Sequence, residues 1–146
     1  MNFSVKLTLL SASLLLLTGC PIMDRDLDLR YPEPDITAAT KVDDNLCVAI
    51  PDPADFQIRM VMIYLRNIPP KERWYQLKPA LNVIEGQVCI PPSFYKFDSR
   101  REYVVQLIMW SDEKAKRTKY GSRVVISAFE IDNDHAWRVI LEEREL

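Results

Sequence analysis

Histidine occurs once in the 146 residues, at His135, and glycine only three times. Glycine-rich phosphate loops, nucleophile elbows and zinc-binding helices need residues that this chain does not supply in the right places. A lone histidine in "DNDHAW" is ordinarily solvated. Two cysteines beside it make a poor zinc set. Charge of one sign is also missing: 19 Lys+Arg face 21 Asp+Glu, a formal charge of −2, which gives no surface for nucleic acid. The longest apolar run, residues 7–17, falls short of the ~20 residues that cross a bilayer. No internal repeat is present. These absences leave no catalytic residue, no cofactor and no metal site to name, and they make binding the remaining class of function.

Lys6 is the only charge before Asp24, and the apolar run ends in "LLLLTGC", Leu14 to Cys20. A weakly basic start, a short apolar core and small residues at its end describe a secretory signal. Leu17-Thr18-Gly19-Cys20 resembles the lipobox of bacterial lipoproteins, in which cleavage precedes a cysteine that becomes a thioether to diacylglycerol and is then acylated on its amine. The alternative is an ordinary signal peptide with a chance cysteine. The resemblance implies that Cys20 is the first mature residue and that acyl chains such as palmitate hold the protein on a lipid bilayer. One chain anchors only marginally, and a tri-acylated cysteine exceeds that threshold. Pro21, where an aspartate would direct inner-membrane retention, favours the outer membrane. Residues 1–19 are therefore expected to be a signal peptide. Their removal takes only Lys6 from the 19 Lys+Arg and leaves 18 against 21, a formal charge of −3.

The expected compartment is the periplasm, which is oxidising. With Cys20 lipidated, Cys47 and Cys89 remain, and an even pair there suits a disulfide. Both sit in short apolar segments that run into proline, "LCVAIP" and "VCIP". A bridge would be worth roughly 4 kcal/mol in the loop-closure description. Two buried thiols are the alternative.

Residues 20–35, with "PIMDRDLDLRYPEPD" after Cys20, carry alternating charge, three prolines and no apolar period, so they read as a lipidated tether. The competing reading is a first edge strand packed on the domain. Residues 36–146 read as an all-β domain. Expected strands are 45–50, 56–65, 73–77, 81–84, 87–90, 102–110 and 122–131, with a tight turn at Glu85-Gly86. From Val61 both faces of the second strand are apolar, as in a central strand. The polar "SDEKAKRTKYG" is expected to be a hairpin loop. "AWRVILEE" alternates as a strand with Trp137, Val139 and Leu141 inward, following a turn at Asp132-Asn133-Asp134; a helix capped by Asn133 or Asp134 is the alternative. Seven or eight short strands predict an antiparallel β-sandwich, immunoglobulin-like in the loose sense, clamped by the Cys47–Cys89 bridge.

Carboxylate pairs in "DRDLD" and at Asp43-Asp44 match no calcium loop and read as solvated charge. The unusual stretch is "PPSFYKF", Pro91 to Phe97, with three aromatics in five residues next to Cys89. Alternation puts Tyr95 and Phe97 on one side and Phe94 and Lys96 on the other. "KERWYQ" is a second aromatic site. Candidate partner-binding residues are thus Trp74, Tyr75, Phe94, Tyr95 and Lys96. The competing reading makes these rings a plug for the open end of the sandwich.

The lipobox followed by proline, "NLCVAIP", "GQVCIPPSFYKF" and "REYVVQL" together resemble small enterobacterial periplasmic lipoproteins described as type VI secretion immunity proteins. The likeness covers most of the mature chain and is most specific at Cys89 to Tyr95. It implies Cys20 as the lipid site, Cys47 and Cys89 as the paired cysteines, no catalytic residue, and a protein partner that is a secreted toxin. Tethering would raise local concentration at the place of attack. A structural or assembly lipoprotein of an envelope or secretion complex is the alternative.

Overall fold

The computed structural model describes residues 32–146. The signal peptide, Cys20 and nearly all of the tether lie outside the described residues. The described residues form an all-β sandwich of nine strands in two sheets. The larger sheet is built on β4 (Gln57–Leu65), β7 (Arg101–Trp110) and β8 (Ser122–Asp132), with β5 (Trp74–Leu77) beyond β4. On the far side of β8 lie two short strands, β1 (Asp35–Ile36) and β9 (His135–Arg138). The smaller sheet has the order β2 (Ala39–Val42), β3 (Asn45–Ala49), β6 (Gln87–Ile90). Pairing is antiparallel except between β1 and β8, which run parallel.

Alternation explains the core. Tyr103, Val105, Leu107 and Met109 of β7, Val61 and Ile63 of β4, and Val125 and Phe129 of β8 face the smaller sheet and meet Leu46, Val48, Val88 and Ile90. Burying each large aliphatic side chain stabilises by about 1.5–3 kcal/mol. The other face of the larger sheet is apolar too. Tyr64, Val104, Ile126 and Ala128 form a second cluster, covered by Ile68, Val139 and Leu141.

That second cluster corrects the reading of the C-terminus. Only His135–Arg138 is strand, and a short 3-10 turn, Glu143–Glu145, follows. Trp137, Val139 and Leu141 do share a face, but it is the outer face of the larger sheet. The β8–β9 register sets Trp137 opposite Glu130 and Ala136 opposite Ile131, so Ala136 takes the inward position. Trp137 is exposed and stacks on His135. Arg66 pins the final turn: its Nε and Nη2 donate to Glu145 at 2.8 and 2.9 Å, its Nη2 to the Ile140 carbonyl and its Nη1 to Glu102 at 3.1 Å.

Three further expectations change. The link between β7 and β8 contains a helix, α1 (Asp112–Thr118). Ser111 caps it, accepting the Lys114 N–H at 2.9 Å while donating to Asp55 at 2.5 Å. The Ser111 hydroxyl and the Glu113 N–H hold the Asp55 carboxyl below its usual range. Gly121 is required after the helix, because a Cβ there would collide with the Ser111 carbonyl oxygen. Residues 81–84 are not a strand. The turn at Glu85-Gly86 forms, with positive φ at both residues, but pairing stops at the Ile84–Gln87 bridge. Leu81 goes into the core, and a depression of about 320 Å³ separates Ala80–Asn82 from Cys89 of β6. Finally, the domain starts before residue 36. Asp35 is in β1 and accepts from Arg123 at 2.6 Å, so the edge-strand reading holds for the last residue of the expected tether.

The Cys47–Cys89 disulfide is present, but it does not clamp the two sheets together. Cys47 is directly opposite Cys89 in the β3–β6 ladder, on the face turned away from the core cluster. It staples neighbouring strands of one sheet. Replacing both cysteines by Ala should cost about 2–5 kcal/mol in urea unfolding and leave the sheet contacts otherwise intact. An unchanged midpoint would show that the bridge contributes nothing.

The Arg66–Glu145 pair adds a pH dependence. Hydrogen bonds from Arg66 and from the Glu142 N–H draw the Glu145 carboxyl down to about 2. In the unfolded chain a glutamate titrates near ~4.3. Its contribution is therefore complete above that value and is lost as pH falls through about 2. Stability measured from pH 6 to pH 2 should fall less steeply in Arg66→Ala than in the wild-type chain. Parallel curves would refute the linkage.

Candidate functional site

Pro91 ends the smaller sheet, because proline cannot donate to a ladder. Its carbonyl accepts the N–H groups of Phe94 and Tyr95 at 2.9 and 3.2 Å, which winds "PPSFYKF" into a tight turn at one end of the sandwich. β5 approaches the same place from the larger sheet. Its register sets Trp74 opposite Ile63, so the Trp74 indole leans toward the inter-sheet side.

The structure brings Trp74, Phe94 and Tyr95 together. The Trp74 ring lies 5.6 Å from Phe94, edge-on, and 5.3 Å from Tyr95. The stack continues inward: Tyr95 to Phe97 at 4.8 Å, Phe97 to Tyr103 at 5.1 Å and Phe97 to Phe129 at 5.7 Å. Phe129 is fully buried. Tyr103 also accepts the Asp98 N–H through its hydroxyl at 3.0 Å, which fixes the exit of the turn. Burial pushes the Tyr95 phenol up. Each favourable ring pair adds about 0.5–1.5 kcal/mol beyond the area it buries.

These rings divide by their burial. Phe97 and Tyr95 plug the end of the sandwich against the core, and Phe94 packs on it from the side. Trp74 is 36% exposed and Tyr75 60%. Tyr75 lies on the opposite face of β5 from Trp74, across from Met62. Lys96 lines a depression of about 180 Å³ together with Tyr95, Lys41, Asp44 and Asn133. Asp43-Asp44 forms the β2–β3 hairpin turn, with Asp43 in the left-handed region. Among the described residues no cluster of three or more His, Cys, Asp or Glu is placed to hold a metal ion.

The sequence reading missed Leu77, the most exposed of the large hydrophobic residues of β5 at 64%. It also missed that β5 is the last strand of its sheet. A signal existed in the prolines of "IPPKERWYQLKP", which bracket a strand too short to be central. Phe97→Ala should lower stability by about 3–5 kcal/mol, since it hollows the stack beneath the surface. Tyr75→Ala should change it by no more than about 0.5 kcal/mol. Urea unfolding of both variants checks the assignment, and equal losses would contradict it.

No curated protein matches this chain, and neither does any solved structure. A family model does: the domain of unknown function DUF7480 matches residues 34–134, from the residue before β1 to the turn between β8 and β9. That span is most of the chain and takes in the smaller sheet, the larger sheet apart from β9, the disulfide and the aromatic turn. The chain belongs to the DUF7480 family.

Proposed function

We propose that this chain is a periplasmic lipoprotein, held on the outer membrane through acylated Cys20, that binds a protein partner as an immunity protein and neutralises a type VI secretion effector by occlusion. The observation that supports it is the juxtaposition of Trp74 with Phe94 and Tyr95 at one end of the sandwich, beside exposed Tyr75. Aromatic side chains backed by a rigid stack present large contact area with little entropy left to lose on binding. Phe97 and Tyr103 supply that backing here. The geometry offers contact surface, and occlusion asks nothing more of it.

The test places a photo-crosslinking amino acid at position 75 of the full chain, in cells exposed to siblings that deliver effectors. One adduct is expected, and mass spectrometry should identify it as a secreted toxin. Cells lacking the chain should die in the same contest. Cys20→Ser should abolish fatty-acid labelling of the protein. A resident envelope subunit crosslinked whether or not toxin is delivered would replace immunity by an assembly role. Survival of cells without the chain, together with no toxin adduct, would overturn the reading.

A further inference from the structure

Among the described residues β5 ends the larger sheet on one side, and its main chain there is open. On the opposite side of the sheet β8 is closed by β1 and β9. The hydrogen-bond phase of β5 follows from two bonds. Lys78 N–H donates to the Arg59 carbonyl at 2.8 Å, one step beyond the Met60–Leu77 pair. Arg66 N–H donates to the Glu102 carbonyl at 3.0 Å, one step beyond the Leu65–Tyr103 pair. In an antiparallel ladder, bonded pairs alternate with non-bonded pairs. Even-numbered residues of β4 from Met60 onward therefore bond to β7, and odd-numbered ones bond to β5. Trp74 and Gln76 turn their N–H and C=O groups toward β4. Tyr75 and Leu77 turn theirs outward, where no strand of the sheet follows.

Edge strands of this kind are normally blunted by proline, lysine or brevity. Here the blunting acts only at the ends. Pro69 and Pro70 precede β5 and Pro79 follows Lys78, so the usable edge is the four residues Trp74–Leu77. None of these four is buried. The two faces of the edge differ. On the inter-sheet side an added strand would meet Trp74 and Phe94, and on the outer side it would meet Tyr75 and Leu77.

Charge narrows the occupant. Lys71 and Arg73 stand at one end of the edge, and Lys78 stands at the other with Arg59 opposite it; Glu72 is the one acid between Pro69 and Pro79. Two β5 edges meeting about a two-fold axis would run antiparallel and bring the basic end of each against Lys78 of the other. Like charges so placed disfavour self-pairing. A segment with apolar residues at its centre and acids at both ends meets no such penalty.

We propose that the partner binds by strand addition: an extended, acid-flanked segment of a partner protein pairs with β5 through the main-chain groups of Tyr75 and Leu77. Main-chain bonds supply affinity in this mode, and alternate side chains supply selectivity. This rests on the partner-binding reading above and specifies its geometry.

The probe is a nine-residue peptide of alternating valine and threonine with two aspartates at each end, titrated into the full lipidated chain in detergent. A control peptide carries lysines in place of the aspartates. The acidic peptide should bind at least tenfold tighter than the basic one. It should slow amide exchange of Tyr75 and Leu77 tenfold or more and leave Trp74 and Gln76 unchanged. Tyr75→Pro removes one outward N–H without touching a β4 bond, and should weaken peptide binding tenfold or more, whereas Tyr75→Phe should not. If the proline variant misfolds, the exchange pattern of the wild-type chain decides. Equal binding of the two peptides, or no protection at Tyr75 and Leu77, overturns strand addition. Loss of toxin crosslinking in Trp74→Ala, with Tyr75→Pro still crosslinking from position 77, would keep the surface and reject the strand. Crosslinking unaffected by either would reject the surface as well.

Discussion

β7 carries Val105, Leu107 and Met109 on one face and Val104 and Ile108 on the other, and neither set can be left in water without loss. The smaller sheet covers the first face. The second is covered by the chain itself, as residues beyond β9 cross the outer side of the larger sheet and lay Val139 and Leu141 on Ile126 and Ala128. That return is a short irregular segment with little hydrogen bonding of its own. Arg66 compensates by gathering Glu145, Glu102 and the Ile140 carbonyl around one guanidinium. Hydrogen bonds to Glu145 and Glu102 hold Arg66 above its usual pKa.

The inner faces of β7 and β4 are covered, while their outer faces stay half-exposed at Met60, Met62, Gln106 and Ile108. The β8 edge is closed by two short strands from the two ends of the domain. The β5 edge is left, and it adjoins the aromatic turn. This placement joins the core to the surface. Phe97 and Tyr103 belong to the core, Trp74 and Tyr75 to the surface, and Tyr95 and Phe94 connect them. The disulfide acts at one remove. By fixing β6 to β3 it fixes Pro91, and the turn that positions Phe94 and Tyr95 begins at the Pro91 carbonyl.

Period-two alternation made β4, β7 and β8 legible, because each is long enough for the pattern to repeat. The Glu85-Gly86 turn was legible from glycine chemistry alone. The all-β sandwich followed from these. What escaped has local or tertiary causes. β1 is two residues long, and its pairing is set by Arg123 and Thr37 rather than by any pattern. α1 buries no residue, so it has no apolar period; its cap at Ser111, early acids and late bases were the only signs. The pairing of Cys47 with Cys89 was inferable from like settings, but which sheets they join was not. The aromatic residues of the site were legible as a bunch. That Leu77 joins the edge depends on sheet order, which no local stretch of sequence encodes.

The same sheet order bears on why an exposed aromatic edge is tolerable. Open strand edges invite self-association. The residues that limit this are those flanking β5. Proline on both sides stops the strand from lengthening, and lysine or arginine at both ends makes a symmetric pair repel itself. Neither device obstructs a strand of different sequence. Avoidance of self-pairing and selection of a foreign, acid-flanked segment thus come from the same few side chains, so weakening the charges at Arg73 and Lys78 should relax both together.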